Sequence, residues 1–557
     1  MQAVKREMKQ DTQIADVKRV KLESSGTVVL DPKQQRILDL CLGGQNVYFS
    51  GIAGVGKTFL LRHIADRLRK KYGTNRVAVV SPTGISAIIA GGSTIHSFAG
   101  CGVPSVVSDF EKCFGQKERW LQLAVLILDE ASMIDPSYMD WVDSTVRQIR
   151  MVPERAMGGI QIICSGDFLQ LPAVCNGVSL RRQCPVKHSL STKKIPAAVS
   201  DFKAYLFQTM FWRDAKFVNA ELTTVFRQSD VGMVSALAKI RKGCIDDEVR
   251  FFVASCVREL PGEADIKPTV LYARNLDVDF ENETNLKALP GTPEVYLARD
   301  SVQVDAGAPA WARQSMLKDG FFKSALVPDR VVLKVGAQVM LTKNFDTALV
   351  NGSRGVIKCF ATKEASMDSI AERISLCTDD AARSALFAQL ETVRSGPATS
   401  AYPIVLFCNG RTLLCSPVEF EHAIYLLGKL KRVQVPLKLG YAVSMHKSQG
   451  SSLDMVKVDL TGSFCDGQVY VALSRAKSIA GLQITGFSEG LVRANPLAVA
   501  FHDALTAGTL DEFLKTVPMW YAPLLKPEID PNWRALFESS AVFRGWLGRN
   551  PNPLKPV

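Results

Sequence analysis

Apolar positions in this chain follow two rhythms. Short runs at residues 46–50, 77–80, 124–128 and 161–164 have the length of strands. The run at 124–128 is apolar without alternation, as in a parallel-sheet strand covered on both faces. Between the runs, apolar residues recur at helical spacing, at 59–72 and in the segment that carries Ile37, Leu38 and Leu40. Asp31 stands where it caps that segment, with Pro32 at the first helical position. Strands alternating with helices predict an α/β fold.

From about residue 219 a second series begins. Leu222 to Gln228 ends an apolar stretch, 269–273 is a strand followed by a helix, and segments at 439–444 and 468–473 come much later. Between them the pattern turns β-rich. Strands at 333–341 and 353–360 flank an Asn351-Gly352 turn signal, and short strands follow at 404–407 and 412–415. A small SH3-like barrel fits this insertion. Residues 361–401 interrupt it, with Leu386, Leu390 and Val393 at helical spacing, which predicts a helical pack on the barrel.

Chemistry enters at the first strand. Residues 51–58 read Gly51-Ile52-Ala53-Gly54-Val55-Gly56-Lys57-Thr58, the spacing of a phosphate-cradling P-loop opening a helix. The glycines turn backbone N–H groups towards phosphate, Lys57 reaches the β- and γ-phosphates of ATP, and Thr58 ligates Mg²⁺. Run 124–128 delivers Asp129 and Glu130 at its end, where open α/β sheets bind ligands. Asp129 suits magnesium; Glu130 suits orienting and deprotonating the attacking water. Gln170, after run 161–164, sits where a γ-phosphate sensor would, and Gln34 could face the adenine edge. These parts describe one RecA-like lobe. Arg227 and Arg475 are candidate fingers reaching the γ-phosphate from across a cleft. Residues 93–100, Ser-Thr-Ile-His-Ser-Phe-Ala-Gly, mix glycine, hydroxyls and an aromatic ring as single-strand grips do.

Composition narrows the class. The chain has 557 residues, enough for three to four domains, and is 47% apolar and 22% charged, which is globular. No apolar run reaches the roughly 18 residues that cross a bilayer, and no secretory signal pattern opens the chain. A net charge of +12 points to a polyanionic partner. Thirteen cysteines without C-x-x-C spacing, and six histidines without H-E-x-x-H, argue for reduced thiols and against zinc. Residues 1–26 are expected to be a disordered basic tail. Its Lys18-Arg19-Val20-Lys21 cluster is equally a nuclear import signal or a solvated stretch. Asp11, Asp16, Glu23 and few serines are unlike a mitochondrial presequence.

The ordered set GIAGVGKT, SPTGISA, GGSTIHSFAG, LILDEASMID, SGDFLQLP, VFRQ, LKVGAQVML, LVNGSRGVI, MHKSQGSSLDMVKVDL and VYVALSRAKSIAGLQ resembles that of the PIF-family DNA helicases, superfamily-one motors related to RecD. The resemblance spans about residues 30–487. It implies ATP with Mg²⁺, 5′-to-3′ movement on single-stranded DNA, and a small wedge near 101–122. It also implies that Thr83, Gly84, Thr94, His96, Phe98, His446, Lys447 and Gln449 line the DNA track, while Gln34, Gln170, Arg227 and Arg475 complete the ATP site. Asp31 departs from the serine common in the family's first motif.

The expected organisation is a first RecA-like lobe at 27–218, a second lobe split between 219–335 and 435–495, an SH3-like insertion at 336–434 and a C-terminal extension at 496–557. The expected protein is a monomeric nuclear helicase acting on single-stranded and forked or tailed duplex DNA in genome maintenance, with a mitochondrial site as the alternative. An RNA helicase of the same superfamily, or an ATP-driven remodeller that does not unwind, are the other readings the residues leave open.

Overall fold

The computed structural model describes residues 30–517, apart from 103–106, 174–204, 261–265, 306–311, 318–321, 323–326, 344, 346–348, 350, 378–379, 398 and 425–427. Six strands, β1 (Val47–Gly51), β2 (Val77–Ser81), β3 (Ser93–Thr94), β4 (Val125–Leu128), β5 (Gln161–Ser165) and β6 (Val218–Leu222), build the first sheet. Its order is β3-β2-β4-β5-β1-β6 and every pairing is parallel. Strands β1, β2 and β4 are buried along their whole length, as unbroken apolar runs require. Helix Pro32–Leu42 starts on a capping box between Asp31 and Gln34, with Pro32 in its first turn.

The first lobe's boundaries differ from expectation. Strand β6 was expected in the second lobe, yet it extends the first sheet, in register from Val47 opposite Val218 to Gly51 opposite Leu222. Without it the P-loop strand would be an open edge. The extension beyond 496 closes the same lobe. Its helix Pro496–Ala507 inserts Phe501 beside Phe207, Phe168, Trp212 and Tyr48, with the Phe207 rings stacked at 4.4 Å. Trp520, Tyr521, Trp533 and Trp546 lie outside the described residues, as does the tail at 1–26. Within 101–122, helical turns Val107–Gln116 and Lys117–Gln122 bury Cys113 and Trp120 in the first lobe's core.

Strand β7 (Thr269–Tyr272) opens the second sheet. The insertion then supplies β8 (Glu294–Leu297), β9 (Arg299–Val304), β10 (Arg330–Leu333), β11 (Gln338–Leu341), β12 (Arg354–Thr362), β13 (Ala401–Phe407), β14 (Thr412–Leu414), β15 (Val418–Ile424), β16 (Gly428–Gln434) and β17 (Leu437–Leu439). The chain returns to the second sheet through β18 (Ala442–Ser444), β19 (Val456–Asp459) and β20 (Leu482–Thr485). That sheet is parallel, in order β18-β7-β19-β20.

The insertion pairs antiparallel throughout, in sheets β14-β13-β12-β11-β17, β15-β16-β9 and β10-β8. It therefore begins near residue 294, not 336. Strand β9 is mostly solvent-exposed and polar, so its sequence carries no core signal; its pairing with β16 is what assigns it. Helices Lys363–Leu376 and Asp380–Arg394 bury Ile370 and Val393 in the insertion's own core.

Candidate active site

Strand β1 ends in the glycine loop, and helix Lys57–Tyr72 begins immediately after it. Gly54 and Gly56 adopt φ of 90° and 78°, a region that side-chain-bearing residues avoid. A Cβ on Gly54 would stand 2.7 Å from the Cβ of Arg227, so the loop lies directly under that residue. Lys57 Nζ donates to the carbonyls of Gly51 at 2.6 Å and Ile52 at 3.2 Å, and burial lowers its pKa. Gln34 is buried, its Oε1 accepting from Asp31 N, with its Nε2 facing the loop at Gly56. The main chains of Ile52, Ala53 and Val55 complete the cradle around these side chains.

Strand β5 lies between β1 and β4, so the loop, the polar β5 end and the acidic β4 end share one rim. Thr58 Oγ1 donates to Asp129 Oδ2 at 3.3 Å. Burial, with Glu130 alongside, pushes the Asp129 carboxyl up to about 7. A hydroxyl beside a buried carboxylate that resists carrying its own charge fits a hard divalent cation, so these residues suit Mg²⁺. Glu130 is held in the left-handed region at φ 52°, ψ 49°. Such a conformation costs about 1–3 kcal/mol and persists only where its surroundings impose it.

Arg227 belongs to the chain leaving β6, so it does not cross from the second lobe as expected. Phe226 N donates to Gly54 O at 2.9 Å, which lays this segment over the loop. The Arg227 guanidinium then points outward, donating to Ser474 O at 3.1 Å. Gln228 Nε2 grips the same turn through Ser474 O and Ala476 O. Arg475 does come from the second lobe. It is buried, donates to Val471 O at 2.8 Å and Ser474 Oγ at 2.7 Å, and is pulled down to about 9 by burial and by Arg227. Both guanidiniums sit within the field of Glu130.

Gln170 Nε2 donates to Asp167 Oδ2 at 3.0 Å. Asp167 in turn accepts two bonds from Arg241, at 3.0 and 2.7 Å, which hold its carboxyl at about 2 against burial. Arg241 ends the second-lobe helix Val231–Arg241 and also contacts His502 Nε2 at 3.2 Å. Arg241 carried no sequence signal, because a lone arginine in a helix looks like a solvated one. Tyr470 was also missed: its hydroxyl accepts from the loop N–H of Ala53 at 2.8 Å.

The expected DNA residues divide. Thr83 bonds Ser86 ahead of helix Gly84–Ala90, and Thr94 caps helix Ile95–Ala99. His96 packs on Tyr138 at 4.4 Å. Phe98 is a correction: it is 3% exposed, edge-on to Trp120 at 5.1 Å, and has no face for a base. Trp120 and the Arg119 guanidinium, 5.1 Å from the ring centre, cover it, so the ring serves the core. Lys447 is exposed, and His446 stacks on the exposed Phe464 at 6.0 Å. Lys438 approaches Lys447 and is lowered to about 8 by burial and that charge. Gln449 is the second correction: its Nε2 donates to Glu130 Oε2 at 2.9 Å, inside the ATP site.

Two family models match the chain, PIF1-like helicase over residues 29–248 and the 2B domain of DNA helicase Pif1 over residues 320–360. The ATP-dependent DNA helicase PIF1 of Xenopus laevis is 33% identical over 530 residues, covering 89% of this chain and 71% of its own.

The chain belongs to the PIF1-like helicase family.

The human ATP-dependent DNA helicase PIF1 is 33% identical over 88% of this chain and 66% of its own. The crystal structure of Pif1 helicase from Candida albicans matches 86% of this chain and 100% of that one, at 31% identity and a TM-score of 0.62. A Bacteroides Pif1 helicase, solved with ADP-AlF3 and single-stranded DNA, shares the fold at 23% identity and a TM-score of 0.53. The relatives are named ATP-dependent DNA helicases, and the glycine loop with its surroundings is the candidate ATP site of this chain.

Proposed function

We propose that this PIF1-like helicase translocates 5′-to-3′ on single-stranded DNA and unwinds forked or tailed duplex as a monomeric motor. The observation that carries the reading is a hydrolysis site with two owners. Lys57, Thr58, Asp129, Glu130 and Arg227 stand on the first lobe, while Tyr470, Gln449 and Arg475 reach them from the second. An ATP site shared in this way changes shape with the angle between lobes, so hydrolysis and strand movement become one process.

Each residue then has a task. Lys57 and the loop N–H groups hold the β- and γ-phosphates. Thr58 and Asp129 would hold Mg²⁺, which neutralises phosphate charge when bound. Glu130 takes the proton of the attacking water, Gln170 senses the γ-phosphate, and Arg227 and Arg475 stabilise the charge that develops in the transition state. Thr94, His96, His446 and Lys447 line the strand in this reading, and the exposed Lys447 suits a phosphate backbone. The direction of travel rests on the family resemblance. A role in repair, recombination, telomere or fork maintenance and a nuclear address rest on that resemblance and on the Lys18–Lys21 cluster, which lies outside the described residues.

Lys57→Ala should reduce DNA-stimulated ATP turnover at least about 100-fold while strand affinity stays within about threefold. Forks with a 5′ tail should be opened and forks with only a 3′ tail left closed. Unwinding by the Lys57 variant, or opening of the 3′-tailed fork alone, would sink the proposal. Matched RNA strands that stimulate turnover better than DNA would favour the RNA helicase reading.

A further inference from the structure

Gln449 lies in the turn His446-Lys447-Ser448-Gln449-Gly450, in which Lys447 is exposed and His446 is half-buried against Phe464. The Gln449 side chain turns inward. It is 8% exposed and donates from Nε2 to Glu130 Oε2 at 2.9 Å, joining positions 319 residues apart. The carboxylate accepts only, so it fixes the amide with the nitrogen towards Glu130 and the oxygen away. That oxygen, Oε1, is buried with no hydrogen-bond partner. A buried amide oxygen without a partner is costly, and an enzyme keeps such an acceptor where a donor arrives during the reaction.

The turn itself is firmly built. Ser448 N donates to Ser444 O, Ser448 Oγ to Met445 O, and Ser451 Oγ to Ser448 O. A rigid turn cannot move at Lys447 without moving at Gln449. Gly450 O meets Arg227 Nη2 at 3.5 Å, and Ser451 O meets Arg475 Nη1 at 3.5 Å, so the turn also touches both arginines.

We infer that Gln449 is a positioning residue of the hydrolytic centre, resting on the helicase reading above. It aims the Glu130 carboxylate, and its free Oε1 accepts a hydrogen bond from the water that Glu130 activates. Because the same turn presents His446 and Lys447 to the strand, DNA occupancy resets the aim of Glu130. Gln449 is thus the link through which DNA governs turnover, and it makes no DNA contact of its own.

The test compares ATP turnover at saturating oligothymidylate with turnover in its absence, and measures oligothymidylate affinity by fluorescence anisotropy at fixed salt. Gln449→Ala should shrink the stimulation ratio about tenfold or more, with strand affinity within about threefold of wild type. An unchanged ratio overturns the inference, as does a tenfold weaker affinity with unchanged turnover at saturating strand. Gln449→Glu keeps the length and places a second carboxylate against Glu130, in a site that also holds Asp129, Lys57, Arg227 and Arg475. A carboxylate cannot give Glu130 the N–H bond that the amide gives, so stimulated kcat should fall about tenfold or more while KM for ATP stays within about threefold. An unchanged kcat overturns the inference, as does a loss confined to KM. If wild type shows no DNA stimulation, the helicase reading fails too; a normal wild type with normal variants removes Gln449 alone.

Discussion

At the residue scale, the site is a set of charges held where water would not leave them. Asp129 shows the cost. Its carboxyl is raised from 3.8 to about 7, so the folded protein binds that proton more tightly than the unfolded chain does. Its contribution to stability is therefore fully present below about pH 4 and declines as pH rises through 7. Asp129→Asn removes the titrating group while keeping the shape. Without Mg²⁺ or nucleotide, the variant should be more stable than wild type at pH 8, by on the order of 4 kcal/mol, and no different near pH 4. Denaturant melts at the two pH values check this, and a variant less stable at pH 8 contradicts it. If Thr58 and Asp129 hold Mg²⁺ as proposed, the same substitution should abolish ATP turnover, because the Thr58 hydroxyl alone would not hold the ion.

At the element scale, short pieces of chain decide what a side chain is for. Helix Ile95–Ala99 points Phe98 inward onto Trp120 while Thr94 remains at its cap. Phe98→Ala should thus act as a core truncation. A loss of about 3–4 kcal/mol in unfolding free energy, with DNA affinity unchanged at permissive temperature, is the expected result. A large affinity loss with normal stability would return the ring to the DNA track. The strand β6 works the same way for Arg227. Pairing β6 with β1 carries the chain over the glycine loop, and the close approach of Gly54 to Arg227 follows. The motif VFRQ was legible as an arginine near phosphate; the side of the cleft it stands on was not.

At the scale of the whole molecule, buried polar groups join the lobes. Among the described residues the Asp167–Arg241 pair is the deepest ion pair, with side-chain exposures of 1% and 3%. One partner follows β5 of the first lobe and the other ends a helix of the second. Asp167→Asn leaves the guanidinium buried without its counter-charge, which should cost about 3–5 kcal/mol. Urea unfolding at pH 7 measures it, and a loss under 1 kcal/mol would show that the lobes part without breaking the pair. Since Asp167 is held at about 2, its contribution is present above pH 4 and is lost as pH falls towards 2, so wild type and variant should converge in acid. Gln170 takes its orientation from the same carboxylate, so turnover should fall along with stability.

Much of this protein was legible in its residues alone. The G-x-x-x-x-G-K-T spacing, the apolar run ending in Asp129-Glu130 and the Asp31-Pro32 helix start are local, because phosphate cradles, parallel strands and helix caps each follow from neighbours in sequence. The tertiary structure alone decided three things. It gave β6 to the first sheet, since an edge is satisfied by whichever strand can reach it. It assigned β8 and β9 to the insertion, since exposed strands carry no core pattern. It turned Gln449 from the strand to Glu130, since a bond between positions 319 apart depends on how two lobes meet. Local spacing determines what a loop can bind; only packing determines which distant side chain completes it.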